Sequence, residues 1–216
     1  TLLASTTATI SNTIAISAFG GTIAVATGST LTIGGNVTTT APKVGASGYA
    51  GTVTFGNGLL STAFPTTALA PLTVSYGTLK AVGTTNRYQQ GGTGVNPTIL
   101  INNGGTLDMG GLSNNYGSAT ITLNNGTLTN SATTGSSNGP ATTPAIVVGA
   151  GGGTISAGTG ATLAIAGVVS GSGALTIGSA GNTGTVTFSG TNTLTGGTTI
   201  SAGTLKVGNV AALGAA

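Results

Sequence analysis

The sequence predicts an all-β fold, a parallel β-solenoid built from coils of about 20 residues. Short runs that alternate hydroxyl with aliphatic residues recur along the whole chain, each bounded by Gly or Asn. That period of two marks strands with one buried face. A small residue followed by Thr-Leu recurs at Thr30, Thr78, Thr106, Thr127, Thr162 and Thr204. Helix signals are nearly absent, because Gly, 41 of 216 residues, interrupts every stretch of 3.6-residue periodicity.

In chain order, residues 2–16 alternate apolar and hydroxyl side chains and predict either the first coil or a strand donated to a neighbour. Strands follow at 22–25, 30–33, 52–55 and 72–74. Each offers one or two inward aliphatic side chains, too few for a sandwich core. They are enough for a thin solenoid whose coils bury them against one another. Residues 83–97 and 129–144 read as loop excursions that could carry contacts. Strands at 99–101, 120–123, 145–148, 175–177, 186–188 and 204–207 complete one elongated domain over 1–216. Asn57-Gly58, Asn103-Gly104, Asn125-Gly126 and Asn138-Gly139 are placed at corners, where φ > 0 is required. The same dipeptides suit hairpins, but no long meander strands accompany them. The Thr-Leu units are separated by 48, 28, 21, 35 and 42 residues. The last four gaps are multiples of seven, which predicts a seven-residue strand-plus-turn unit, three to a coil.

Composition excludes most chemistry. The charged residues are Lys43, Lys80, Arg87, Lys206 and Asp108, 2% of the chain, against about 25% in an ordinary domain. There is no Glu, His, Cys or Trp. A carboxylate pair, a His-based triad, a His or Cys metal site and a disulfide are therefore impossible. The expectation is a chain with no catalytic residues, no cofactor and no metal. The four cations do not cluster, so no nucleic-acid footprint is present. No stretch reaches about 18 apolar residues, so no membrane-spanning helix is expected. The weak charge gives little repulsion between copies.

Individual motifs are read conservatively. Asp108 is expected to be a solvated turn residue after Thr106-Leu107, since Ca²⁺ needs several oxygen ligands. Gly149 to Thr154 lacks the Lys and the helix of a phosphate loop and reads as a corner. Thr-x-Thr pairs at Thr52, Thr120 and Thr185 fit β-propensity and hydration. Stacked into ranks, such pairs would match an ice lattice. Tyr49, Tyr76, Tyr88 and Tyr116 are candidates for a glycan platform or for corner packing. The exposed contacts are placed at Arg87, Tyr88 and Gln89.

Residues 168–208 read VVSGSGALTIGSAGNTGTVTFSGTNTLTGGTTISAGTLKVG. This stretch resembles the autotransporter-associated β-strand repeat of bacterial surface proteins. The blocks that carry the resemblance span 171–176, 184–190, 192–200 and 202–205, with Leu194 where the family usually has Tyr. Residues 72–83 look like a worn second copy of the 202–208 block. The resemblance implies a right-handed parallel β-helix that is exported, with a structural or adhesive role and no reaction.

The reading is a non-enzymatic extracellular structural protein of the bacterial surface, a self-assembling subunit of a fibre, sheath or stalk. The first alternative is an autotransporter passenger acting as an adhesin, and the second an ice-binding solenoid. The expected partners are other copies of the chain, and host or matrix glycans. Assembly is expected through the two ends, at Leu2, Leu3, Ile10, Ile14 and Ile16, and at Val207, Val210 and Leu213. The start, without Met or a basic segment, reads as a processed terminus. The other end reads as an open coil covered by a neighbour or continued in a longer protein.

Overall fold

Thr and Val, Ile or Leu alternate because a strand turns successive side chains to opposite faces. In the computed structural model, which describes residues 1–15, 21–35, 37–38, 42–55, 60–62, 71–82, 88–90, 98–111, 119–133, 136–137 and 144–214, that alternation becomes three stacked faces. On the first face, parallel register carries Leu2 to Ile23, Val44, Val74, Ile101, Leu123 and Val148. On the second it carries Leu31 to Val53, Leu79, Leu107, Leu128, Ile155, Ile177 and Ile200. The third face comprises Ile14, Val37, Leu60 and Tyr88 near the start, and Leu163, Val186 and Leu205 near the end. The fold is a parallel β-solenoid.

The inward residues form one continuous core, from Ile23 to Leu194, with Leu2, Ile10, Ile14 and Leu205 packed at its margins. Outward positions on the second face hold hydroxyls at Thr52, Thr54 and Thr127, with Lys80 and Asp108 as the charged exceptions. One strand, Gly21–Ile33, bends through Gly28 at φ 81° and serves two faces at once.

The seven-residue unit is not the structural period. Thr30, Thr78, Thr106 and Thr127 lie on the second face, whereas Thr162 and Thr204 lie on the third. Thr52 fills the long first gap. Coil lengths vary because corners hold different numbers of residues while each strand must still meet its neighbour in register. Residues 2–15 form a coil paired with 23–38 of the same chain.

Within the two expected loops, Tyr88–Gln90 is a strand paired with Leu60–Thr62. Thr129 and Asn130 close the strand Gly126–Asn130, and Ser136–Ser137 pairs with Leu163 and Ala164. Arg87 and the other parts of 83–97 lie outside the described residues, as do Ile16, Tyr116, Asn57-Gly58 and Asn138-Gly139.

The last segment folds over the first face. Asn209 Nδ2 donates to the Ser189 carbonyl at 2.6 Å and to that of Gly190 at 3.0 Å. Ala212 is fully buried, and Leu194 beneath it is nearly so.

Candidate functional site

The one acid of the chain is where the polar chemistry concentrates. Asp108 ends the strand Thr106–Asp108 on the second face and is buried. The expectation of a solvated turn residue is therefore overturned. The strand pairing sets Asp108 directly beside Lys80, and Lys80 Nζ lies 3.4 Å from Oδ2. Ser131 donates twice, from its Oγ to Oδ2 at 2.6 Å and from its backbone N–H to Oδ1 at 3.0 Å. The Gly110 N–H donates to Oδ1 at 3.0 Å. Lys80 Nζ also donates to Ser131 Oγ at 2.9 Å.

This cluster brings a serine, a lysine and a carboxylate together. A carboxylate offers about four acceptor sites, and these four contacts occupy them. The Ser131 hydroxyl proton is held on Asp108 Oδ2. The arrangement is a fastener between rungs.

Two further buried polar groups act the same way. Asn130 accepts from the Gly111 N–H at 2.8 Å and donates to the Thr162 carbonyl at 3.0 Å, joining parts of three successive coils. Ser156 Oγ donates to Thr129 Oγ1 at 2.9 Å inside the stack. Sequence reasoning missed both, because residues 129–144 read as a polar loop. The available signal was that Thr129-Asn130 directly extends the alternation of 126–128.

The three Thr-x-Thr pairs fall on three different faces: Thr52 on the second, Thr120 on the first and Thr185 on the third. They build no common array. An unbroken rank arises elsewhere, from Thr30 through Thr52, Thr78, Thr106, Thr127, Thr154 and Thr176 to Thr199. Its spacing in sequence runs 22, 26, 28, 21, 27, 22 and 23 residues, so no fixed period reveals it.

Beside this rank runs the corner between the first and second faces. The residue two before the ranked threonine has positive φ at Gly28, Tyr76, Gly104, Asn125, Gly152 and Gly197. The Asn103-Gly104 and Asn125 corners were legible from sequence. Backbone bonds lock neighbouring corners together: the Gly104 N–H donates to the Asn125 carbonyl at 2.6 Å, and the Asn125 N–H to that of Gly152 at 2.7 Å. A cavity of about 290 Å³ opens here, walled by Thr127, Thr154 and Thr176 and floored by Gly and Asn.

At the ends, Leu3 is exposed, and Leu2, Ile10 and Ile14 are partly buried against the core. Val207, Val210 and Leu213 are exposed at the other end. These two groups stand at opposite ends of the stack. Among the described residues no helix is long and apolar enough to cross a membrane.

A family model for the passenger-associated-transport-repeat matches residues 182–207. No curated protein matches the chain. No solved structure matches it either. The matched stretch holds the strands Thr185–Phe188, Thr193–Leu194, Thr198–Ile200 and Thr204–Val207, which complete all three faces. Residues 182–207 thus match a passenger-associated-transport-repeat, and the parallel coil stack that carries them fits an autotransporter passenger repeat protein.

Proposed function

We propose that the chain is a passenger segment of an exported bacterial protein, displayed on the cell surface as a rigid, non-catalytic scaffold that carries adhesive contacts. The observation that carries this reading is the passenger repeat lying in register at one end of a continuous parallel stack. The physical rationale is simple. A parallel ladder satisfies its own backbone groups coil by coil, so rigidity comes without disulfides. A hydroxyl- and amide-coated surface stays hydrated with almost no charge. Asp108 is fully engaged by Lys80, Ser131 and Gly110, which supports a structural role over a catalytic one.

The test is protease shaving and antibody labelling of intact cells that produce the protein. Recovery of peptides from this chain in the shaved fraction is the expected result. Protection in intact cells, with release only on lysis, overturns the reading.

A second reading, association with other copies, is favoured by the last rung. Ile200 is 55% exposed where its stack neighbour Ile177 is buried, and Val207 is 46% exposed above buried Phe188. A further parallel rung would cover both, whether from continuing chain or from another copy. Light scattering of the 216-residue chain over a concentration series distinguishes these. Concentration-dependent growth supports self-association, and a constant monomer mass removes it.

A further inference from the structure

We propose that the corner between the first and second faces is a binding groove for a neutral oligosaccharide, with Tyr76 and Tyr49 as its aromatic platform and the threonine rank as its polar wall.

Tyr76 is the observation that starts the argument. Along this corner the positive-φ position is filled by Gly or Asn at Gly28, Gly104, Asn125, Gly152 and Gly197, and by a bulky residue only at Tyr76, with φ 64°. An L residue with a bulky side chain is disfavoured there, and Gly or Asn is the relaxed choice. Tyr76 nevertheless remains 42% exposed. A strained backbone that presents an exposed aromatic points to use of the ring rather than to folding.

Three further features lie along the same corner. Tyr49, on the neighbouring rung of the same corner, is also exposed. The corner position on the other neighbouring rung is Gly104, at the lip of the 290 Å³ cavity. Beyond it, Thr127, Thr154 and Thr176 line the cavity at successive rungs, spaced by about 4.8 Å.

The chemistry selects the ligand class. Tyrosine rings take the C–H faces of pyranose rings, while threonine hydroxyls, the Asn125 amide and corner carbonyls exchange hydrogen bonds with sugar hydroxyls. The lining residues carry no charge, so nothing there recruits an anionic or cationic ligand. Nor do they include a large aliphatic side chain to receive a peptide. The groove runs along the stacking direction, so the sugar chain would lie extended across several rungs.

The test is calorimetric titration of the full chain with cellohexaose, chitohexaose, maltohexaose and an anionic galacturonate hexamer. Tyr76→Gly and Thr154→Val are run alongside, with melting temperatures for each. The expected result is saturable binding of at least one neutral hexasaccharide in preference to the anionic one. Tyr76→Gly should weaken it about tenfold while raising the melting temperature, because the strained residue is relieved. Thr154→Val should weaken binding at unchanged melting temperature. No binding of any neutral hexasaccharide overturns the proposal, as does unchanged affinity in Tyr76→Gly. A fall in melting temperature for Tyr76→Gly would make Tyr76 a structural corner residue and also overturn it. These outcomes are independent of cell-surface display, which the shaving experiment decides.

Discussion

Lys80 and Asp108 stand directly opposite each other in adjacent rungs, 28 residues apart in the chain, with Nζ 3.4 Å from Oδ2. Apart from Asp108, the second face is uncharged next to Lys80: Thr54 precedes it in the column and Thr129 follows Asp108. A one-residue slip of either strand would separate the charges and turn Leu79 or Leu107 outward. The pair thus reinforces the register that the core already favours.

Asp108→Ala should destabilise the chain by about 1–2 kcal/mol, because it leaves the part-buried N–H groups of Ser131 and Gly110 and the Ser131 hydroxyl without their acceptor. Lys80→Met should lose less, about 1 kcal/mol or under, since Lys80 is partly exposed. Urea unfolding of both single variants and the double variant measures this. Equal losses for the two single changes would contradict the assignment of Asp108 as the hub.

Asn130→Ala removes bonds that join three coils and leaves the Thr162 carbonyl and Gly111 N–H to find other partners. The expected loss is about 2–4 kcal/mol. Hydrogen exchange should show the opening confined to the coils around residues 106–165, since a solenoid's stability is the sum of neighbour terms. Uniform loss of protection along the chain would contradict that.

Leu128→Ala, in the middle of the second-face column, should cost about 2–5 kcal/mol. Ile200→Ala in the same column should cost under about 0.5 kcal/mol, because Ile200 lies at the uncovered end. Parallel thermal melts of the two variants provide the check, and comparable losses would show that the end is covered in solution.

With no His, Glu or Cys in the sequence, no side-chain type that ordinarily titrates between pH 6 and 8 is present. Stability should then be nearly flat across that window, since linkage requires a difference in bound protons between the folded and unfolded states. A melting temperature that moves by more than about 3 °C between the two pH values would point to an ionisation unaccounted for by this fold.

Much of this architecture was legible in the residues themselves. Alternation in stretches such as 120–123 and 185–188 defines strands and their buried side, because the side-chain period of a strand is a local property. Asn103, Gly104 and Asn125 announced corners, because positive φ selects residue types directly. The same locality explains why 182–207 carried a recognisable family pattern.

What the sequence could not decide alone is which strand lies on which. Gly77-Thr78-Leu79-Lys80 and Gly203-Thr204-Leu205-Lys206 are the same tetrapeptide, yet the first lies on the second face and the other on the third. Lys80 meets Asp108 there, whereas Lys206 sits beside Thr187. Local sequence determined that both are strands with Leu turned inward. Their neighbours were set by coil lengths that vary from 21 to 28 residues along the threonine rank. Partners across rungs are therefore a property of the whole stack. The buried hub at Asp108, the threonine rank and the groove beside Tyr76 exist only once the coils have been laid on one another.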